Sequence, residues 1–272
     1  ILTWYDDLYA NHMLDNFSIR HSFIGETMGR NDFRFFPLSH QDLHVLSWFT
    51  PYTKVWSLIS AFELIITIVV GCKLIALVRR KQSSRSLLLC GALLFGFTSA
   101  SAYNYFQFIY SERITTLLFA LFAYFYCLYQ QNNDQRSGRS ALLCALLAPF
   151  FKDTAILLVV VPPMASIILG SIGKFSNYPN WSSCTWSSWR KAYALELAIC
   201  SVAIFFLASF IILSAIPSLA TGVSRYDSHL RFSSFALDLR LIILLSYSVI
   251  RFWLIARSQS KANLLDSLNL AA

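Results

Sequence analysis

The sequence predicts an all-α protein: a polytopic transmembrane helix bundle of about seven crossings, preceded by a long non-cytoplasmic loop that carries a surface helix. Three observations carry this prediction. Of the 272 residues, 56% are hydrophobic and 13% charged, against roughly 25% charged in a soluble domain. The mean hydropathy is +0.54. The apolar stretches are continuous rather than alternating, which selects helices over barrel strands.

The stretches fall at 55–78, 86–106, 114–129, 140–151, 154–172, 192–216 and 241–256. A crossing needs roughly 20 apolar residues. The first, second, fifth and sixth stretches meet that length. The third and seventh need about a turn of their flanks. The fourth, Ser140 to Phe151, spans only ~18 Å at ~1.5 Å per residue, so it either begins near Asn132 or crosses thinned membrane. Pro162-Pro163 is expected to break the fifth.

Charge sets the orientation. Arg79, Arg80, Lys81 and Arg85 crowd one short connection that has no acid, and such loops stay cytoplasmic. Alternation then places 130–139, 173–191 and the tail 257–272 inside, and 1–54, 107–113, 152–153 and 217–240 outside. The inside segments hold eleven Lys/Arg and two acids, the outside segments nine and ten. Three regions follow: a loop over 1–54, the bundle over 55–256, and a cytoplasmic tail over 257–272. The net charge of +8 therefore points to anionic headgroups and not to nucleic acid. Trp48, Trp56, Tyr103, Trp181, Trp186, Trp189 and Trp253 flank helix ends, as interfacial anchors do. The chain opens on Ile1-Leu2-Thr3-Trp4, which reads as the end of an apolar helix, so a further crossing is expected before it.

Cys72, Cys90, Cys127, Cys144, Cys184 and Cys200 avoid the outside loops, and no disulfide or metal spacing is expected among them. Asn16-Phe17-Ser18 is a glycosylation sequon if the source is eukaryotic.

The candidate chemistry lies outside. Asp6-Asp7 opens the first loop. Adjacent carboxylates there either activate a hydroxyl, hold a divalent cation, or are merely solvated. Arg30 and Arg34 suit bidentate grip of a phosphate, or ion pairs with Glu26 or Asp32. Ser39 followed by Asp42 marks a helix start, with Leu43, Val45, Leu46, Trp48 and Phe49 suited to a membrane surface. His40 and His44, one turn apart, read as surface histidines before they read as a metal pair. Lys152-Asp153 separates two apolar stretches, where a cation meets either a lipid phosphate or water. Glu112-Arg113 is a similar turn, with Glu112 suited to the helix dipole. Glu63 and Glu196 stand in apolar stretches without identifiable partners, and Lys73 and Arg251 are placed to snorkel. Arg225 and Arg231 sit in a polar last loop that suits an anionic substrate or plain hydration.

The layout resembles the GT-C class of polytopic membrane glycosyltransferases, which use polyprenyl-phosphate-linked sugars. Three features carry the resemblance: Asp6-Asp7 after an apolar end; Gly29-Arg30-Asn31-Asp32-Phe33-Arg34-Phe35-Phe36-Pro37-Leu38, similar to Gly-Arg…Pro-Leu stretches of bacterial members; and Phe151-Lys152-Asp153-Thr154, similar to their Lys-Glu or Lys-Asp step. It covers residues 1–175. The resemblance implies that Asp6 or Asp7 handles the acceptor hydroxyl, with Arg30, Arg34, Lys152, Asp153, Arg225 and Arg231 around the donor phosphate. It implies no required cofactor, with room for a divalent cation at the acids. It further implies a lipid-linked sugar donor, a glycan, lipid or protein acceptor, and a bacterial inner membrane with the site facing the periplasm. A transporter or lipid flippase, or a non-catalytic membrane subunit, accounts for the helices equally well.

Overall fold

The computed structural model describes residues 33–79, 85–106, 110–175, 185–221 and 239–271. Every named element there is a helix. The one extended pairing among the described residues is an isolated bridge from Phe175 to Ala262.

Helix α1, Gln41–Phe49, occupies the stretch in which a surface helix is expected. Leu43 is buried beneath it, while Trp48 and Phe49 are exposed. Its start differs from the expectation. His40, not Ser39, is the N-cap, in left-handed backbone and without a side-chain cap bond. The Ser39 hydroxyl lies 3.1 Å from His40 Nδ1. Asp42 is drawn away to a cation on another helix.

Helix α2, Thr53–Val78, has 26 residues, about 39 Å at ~1.5 Å each. Its exposed side chains include Leu58, Phe62 and Ile65, while Ser60 and Thr67 are buried. Apolar side chains outside and hydrogen-bonded hydroxyls inside are what a lipid solvent selects. Ser60 donates to the Tyr105 carbonyl at 2.7 Å, and Tyr105 donates to Thr67 at 3.2 Å. Trp56 is not an interfacial anchor: it is fully buried, with its indole N–H on the Thr50 carbonyl.

The second expected crossing is divided into α3, Arg85–Gly96, and α4, Ser99–Phe106. Thr98 makes the break. Its hydroxyl oxygen accepts from the Ser101 amide at 3.1 Å, as an N-cap does.

Helix α5, Glu112–Asn132, stops at Asn133, whose left-handed backbone turns the chain. Helix α6, Gln135–Phe151, follows at once, capped by the Asp134 carboxylate on the amides of Arg136 and Ser137. The fourth stretch therefore does begin earlier than Ser140. Alanines 141, 145 and 148 on α6 are buried and let it approach α5, where Phe122 and Tyr126 stack with centroids 5.5 Å apart. Helix α7, Ala155–Ser171, is continuous through Pro162 and Pro163, so the expected break is absent.

Helix α8, Trp186–Ala192, is a short prelude to α9, Ala194–Phe210. A π-helical turn, Ile211–Ala215, continues α9 into α10, Ile216–Thr221. Helix α11 is Leu239–Ala256 and α12 Leu264–Ala271. The segment expected as a tail thus ends in a docked helix. Ala262 donates to the Lys174 carbonyl at 2.7 Å, and Leu268 packs with Ala123 and Cys127. Arg251, expected to snorkel, instead grips Asp266 through Nε and Nη2 at 2.8 and 2.7 Å.

Among the described residues, three helices are long and apolar enough to cross a membrane: Thr53–Val78, Glu112–Asn132 and Ala194–Ala220. The other four expected crossings correspond to divided or shorter helices. All-helical architecture is what the sequence predicts, and an apolar exterior on the long helices fits a membrane bundle.

Candidate functional site

The candidate site lies where α6 ends and α7 begins. Lys152 closes α6 in extended backbone. The Asp153 carboxylate accepts from the Thr154 amide at 2.8 Å, which tightens the turn, and Ala155 donates to the Lys152 carbonyl at 2.9 Å.

Residues 33–38 run across this helix end. The Leu38 amide donates to the Phe150 carbonyl at 2.9 Å, satisfying an oxygen that the terminated helix leaves without an internal donor. Phe35 is 1% exposed, with its ring centroid 5.9 Å from that of Phe150 and 5.6 Å from that of Phe206. The π-helical turn holds the other side of the segment. Ser214 donates to the Arg34 carbonyl at 2.8 Å, and the Phe33 amide donates to the Ser218 hydroxyl at 3.1 Å. A π turn carries one more residue than an α turn; Ser214 within it and Ser218 one turn beyond reach the backbone of two adjacent residues, Arg34 and Phe33.

The charges follow from that frame. Lys152 Nζ is 2.7 Å from Glu112 Oε1 and 6.0 Å from the centroid of Phe36. The Arg34 guanidinium lies 6.0 Å from the same ring, so one aromatic ring collects two cations. The Lys152 side chain keeps 25% of its surface exposed.

Arg113 is different. It is 1% exposed, with one Nη on Glu63 at 2.5 Å and the other on Asp42. Its charge is taken up by two carboxylates, from α1 and α2. This triad is structural: it ties the surface helix to the bundle. Lys152, with one carboxylate partner and part of its surface open, is the more accessible of these two cations.

Of the residues singled out from the sequence, Lys152 and Arg34 meet at Phe36, and Asp153 serves the turn. Asp6, Asp7, Arg30, Arg225 and Arg231 lie outside the described residues. Sequence reasoning missed Phe36 and the triad. A signal existed, since Glu63 in an apolar run demands a cation, but its partner is fifty residues away. Glu196 gains partners too. At the opposite end of the bundle it is fully buried and accepts from Tyr126 at 2.9 Å and Gln130 at 2.6 Å.

Comparison with known proteins returns no matching family, no matching curated protein and no matching solved structure.

Proposed function

We propose that the protein is a membrane glycosyltransferase that moves a sugar from a polyprenyl-phosphate-linked donor to an acceptor on the non-cytoplasmic face. The observation that carries this reading is the meeting of two stretches more than a hundred residues apart. Phe36, within the Gly-Arg…Pro-Leu stretch, lies under Lys152, of the Lys-Asp step. These are two of the three features on which the glycosyltransferase resemblance rests.

In this reading Asp6 or Asp7 takes the proton of the acceptor hydroxyl. The hydroxyl oxygen attacks the anomeric carbon, and the bond from that carbon to the phosphate oxygen breaks. The lipid phosphate leaves with the electron pair. Lys152, with Arg225 or Arg231, stabilises the charge that grows there, and the lipid tail lies between helices. Asp6 and Asp7 also have room for a divalent cation. Seven crossings and a bacterial inner membrane with the site toward the periplasm complete the reading.

The test is sugar transfer from a labelled polyprenyl-phosphate donor in membranes carrying the full chain. Asp6→Asn or Asp7→Asn is expected to abolish it. Full activity in both variants removes the catalytic assignment and leaves a non-catalytic subunit.

Glu196 favours a second reading, because a buried intramembrane acid is a common element of ion-coupled transport. Loss of substrate flux in Glu196→Gln, with Asp6 and Asp7 variants unaffected, would select a transporter or flippase.

A further inference from the structure

We infer that the end of the bundle opposite Lys152 carries a binding site for a phosphate-ester anion, filled by the headgroup of an anionic phospholipid. This site does not depend on the glycosyltransferase reading. It is a cavity of about 320 Å³, lined by Tyr129, Asn133, Gln135, Gly138, Arg139 and Lys191, with apolar walls from α6 and α9. Arg139 and Lys191 come from different helices and converge on it. Among the described residues neither forms a salt bridge, and no residue lining the cavity is acidic.

The nearest acids are committed elsewhere. Asp134 at the rim spends its carboxylate on the amides of Arg136 and Ser137. Glu196, behind the inner wall, accepts from Tyr126 and Gln130. Arg136 and Arg190, both exposed, add positive charge beside the lining elements. Gly138 opens the floor: a Cβ there would come within 3.0 Å of the Tyr129 ring.

Depth identifies the occupant. Asn133 immediately follows one span and Lys191 lies three residues before another, so the cavity sits where the hydrocarbon begins. Trp186, exposed and stacked 5.2 Å from the buried Trp189 on α8, marks the same level as an interfacial aromatic does. Basic pockets between helices at that depth take anionic headgroups. The volume falls at the low end of small-ligand sites, about 300–1,000 Å³, which leaves space for more than a bare phosphate.

The experiment is native mass spectrometry of the purified full chain in detergent, supplied with phosphatidylglycerol or phosphatidylcholine. Phosphatidylglycerol is expected to be retained selectively. Arg139→Gln and Lys191→Gln should each weaken retention about fivefold, from ~1 kcal/mol per cation. Both side chains are exposed, so folding is spared, and Arg139→Lys with Lys191→Arg should restore retention. Arg257→Gln removes a cation that stacks on Trp253, away from the cavity, and should change nothing. Equal retention of the two lipids overturns the site. So does an Arg257→Gln loss as large as that of the cavity variants. Displacement of the lipid by inorganic phosphate overturns the lipid assignment and gives the cavity to a free phosphate.

Discussion

Arg113 and Glu63 meet at 2.5 Å, a cation from the first turn of α5 against an acid ten residues into α2. With Asp42 on the other nitrogen, Arg113 is the centre of a buried network that spans three helices. Removing one member of such a network strands the others, at about 3–5 kcal/mol. Arg113→Met is therefore expected to lower unfolding stability by that amount in detergent. Asp42→Asn, Glu63→Gln and Arg113→Met combined should recover most of it, because no charge is then left buried. Thermal unfolding of the single and triple variants checks both halves. A triple variant no better than Arg113→Met contradicts the argument.

Lys152 should behave in the opposite way. Its pair with Glu112 leaves 25% and 35% of the side chains exposed, and ion pairs of that kind contribute about 0–1 kcal/mol. Lys152→Ala should leave the unfolding temperature nearly unchanged while lowering sugar transfer about a hundredfold, the scale of losing one preorganised donor. Glu112→Gln keeps the cation and should keep most of the rate. Initial rates in membranes separate the two variants.

Asp134 supplies a pH signature. The hydroxyl of Ser137, followed by the amides of Arg136 and Ser137, holds its carboxyl below the ordinary carboxylate range. A group depressed in the folded state stabilises fully above its unfolded value, and that contribution is lost as pH falls through the folded value. Asp134→Ala should therefore lower the unfolding temperature at neutral pH. The gap between variant and parent should close in acid below the carboxylate range. A gap that does not change with pH would show that the cap acts without its charge.

Asp266 anchors the last helix. Its side chain is 1% exposed and takes both nitrogens of the Arg251 fork. Asp266→Ala should cost about 1.5–3 kcal/mol, the range for hydrogen bonds to charged groups. It should also release α12 from Ser248, to which Asn269 donates at 2.7 Å. Faster tryptic cleavage at Arg257 and Lys261, read by mass, is the expected sign. Unchanged cleavage would mean that apolar packing alone holds the helix.

Helix identity was legible where an apolar run was long, as over 55–78. The early start of α6 was legible as well, because a run of twelve residues is too short to stand alone. What sequence could not show follows from the same physics. Ser39 fits a capping pattern, but Asp42, its expected partner, is worth more to Arg113 than to a backbone amide. Pro162 and Pro163 break an isolated helix, yet α7 holds its course within the packing of α5, α6 and α9. Phe36 looks like one more apolar residue in an aromatic stretch. Only the crossing of residues 33–38 over α6 puts a lysine and an arginine on its ring.

The π-helical turn at Ile211–Ala215 makes the length of its helix negotiable at one place. Such a turn holds one residue more than an α turn, so deleting an exposed member such as Ile212 would convert it to α and leave Ser218 facing the same way. A deletion anywhere in 195–209 would rotate Ser218 by about 100° and detach it from Phe33. Tolerance to single-residue deletions along this helix should therefore concentrate in the exposed positions of this turn, Ile211 and Ile212.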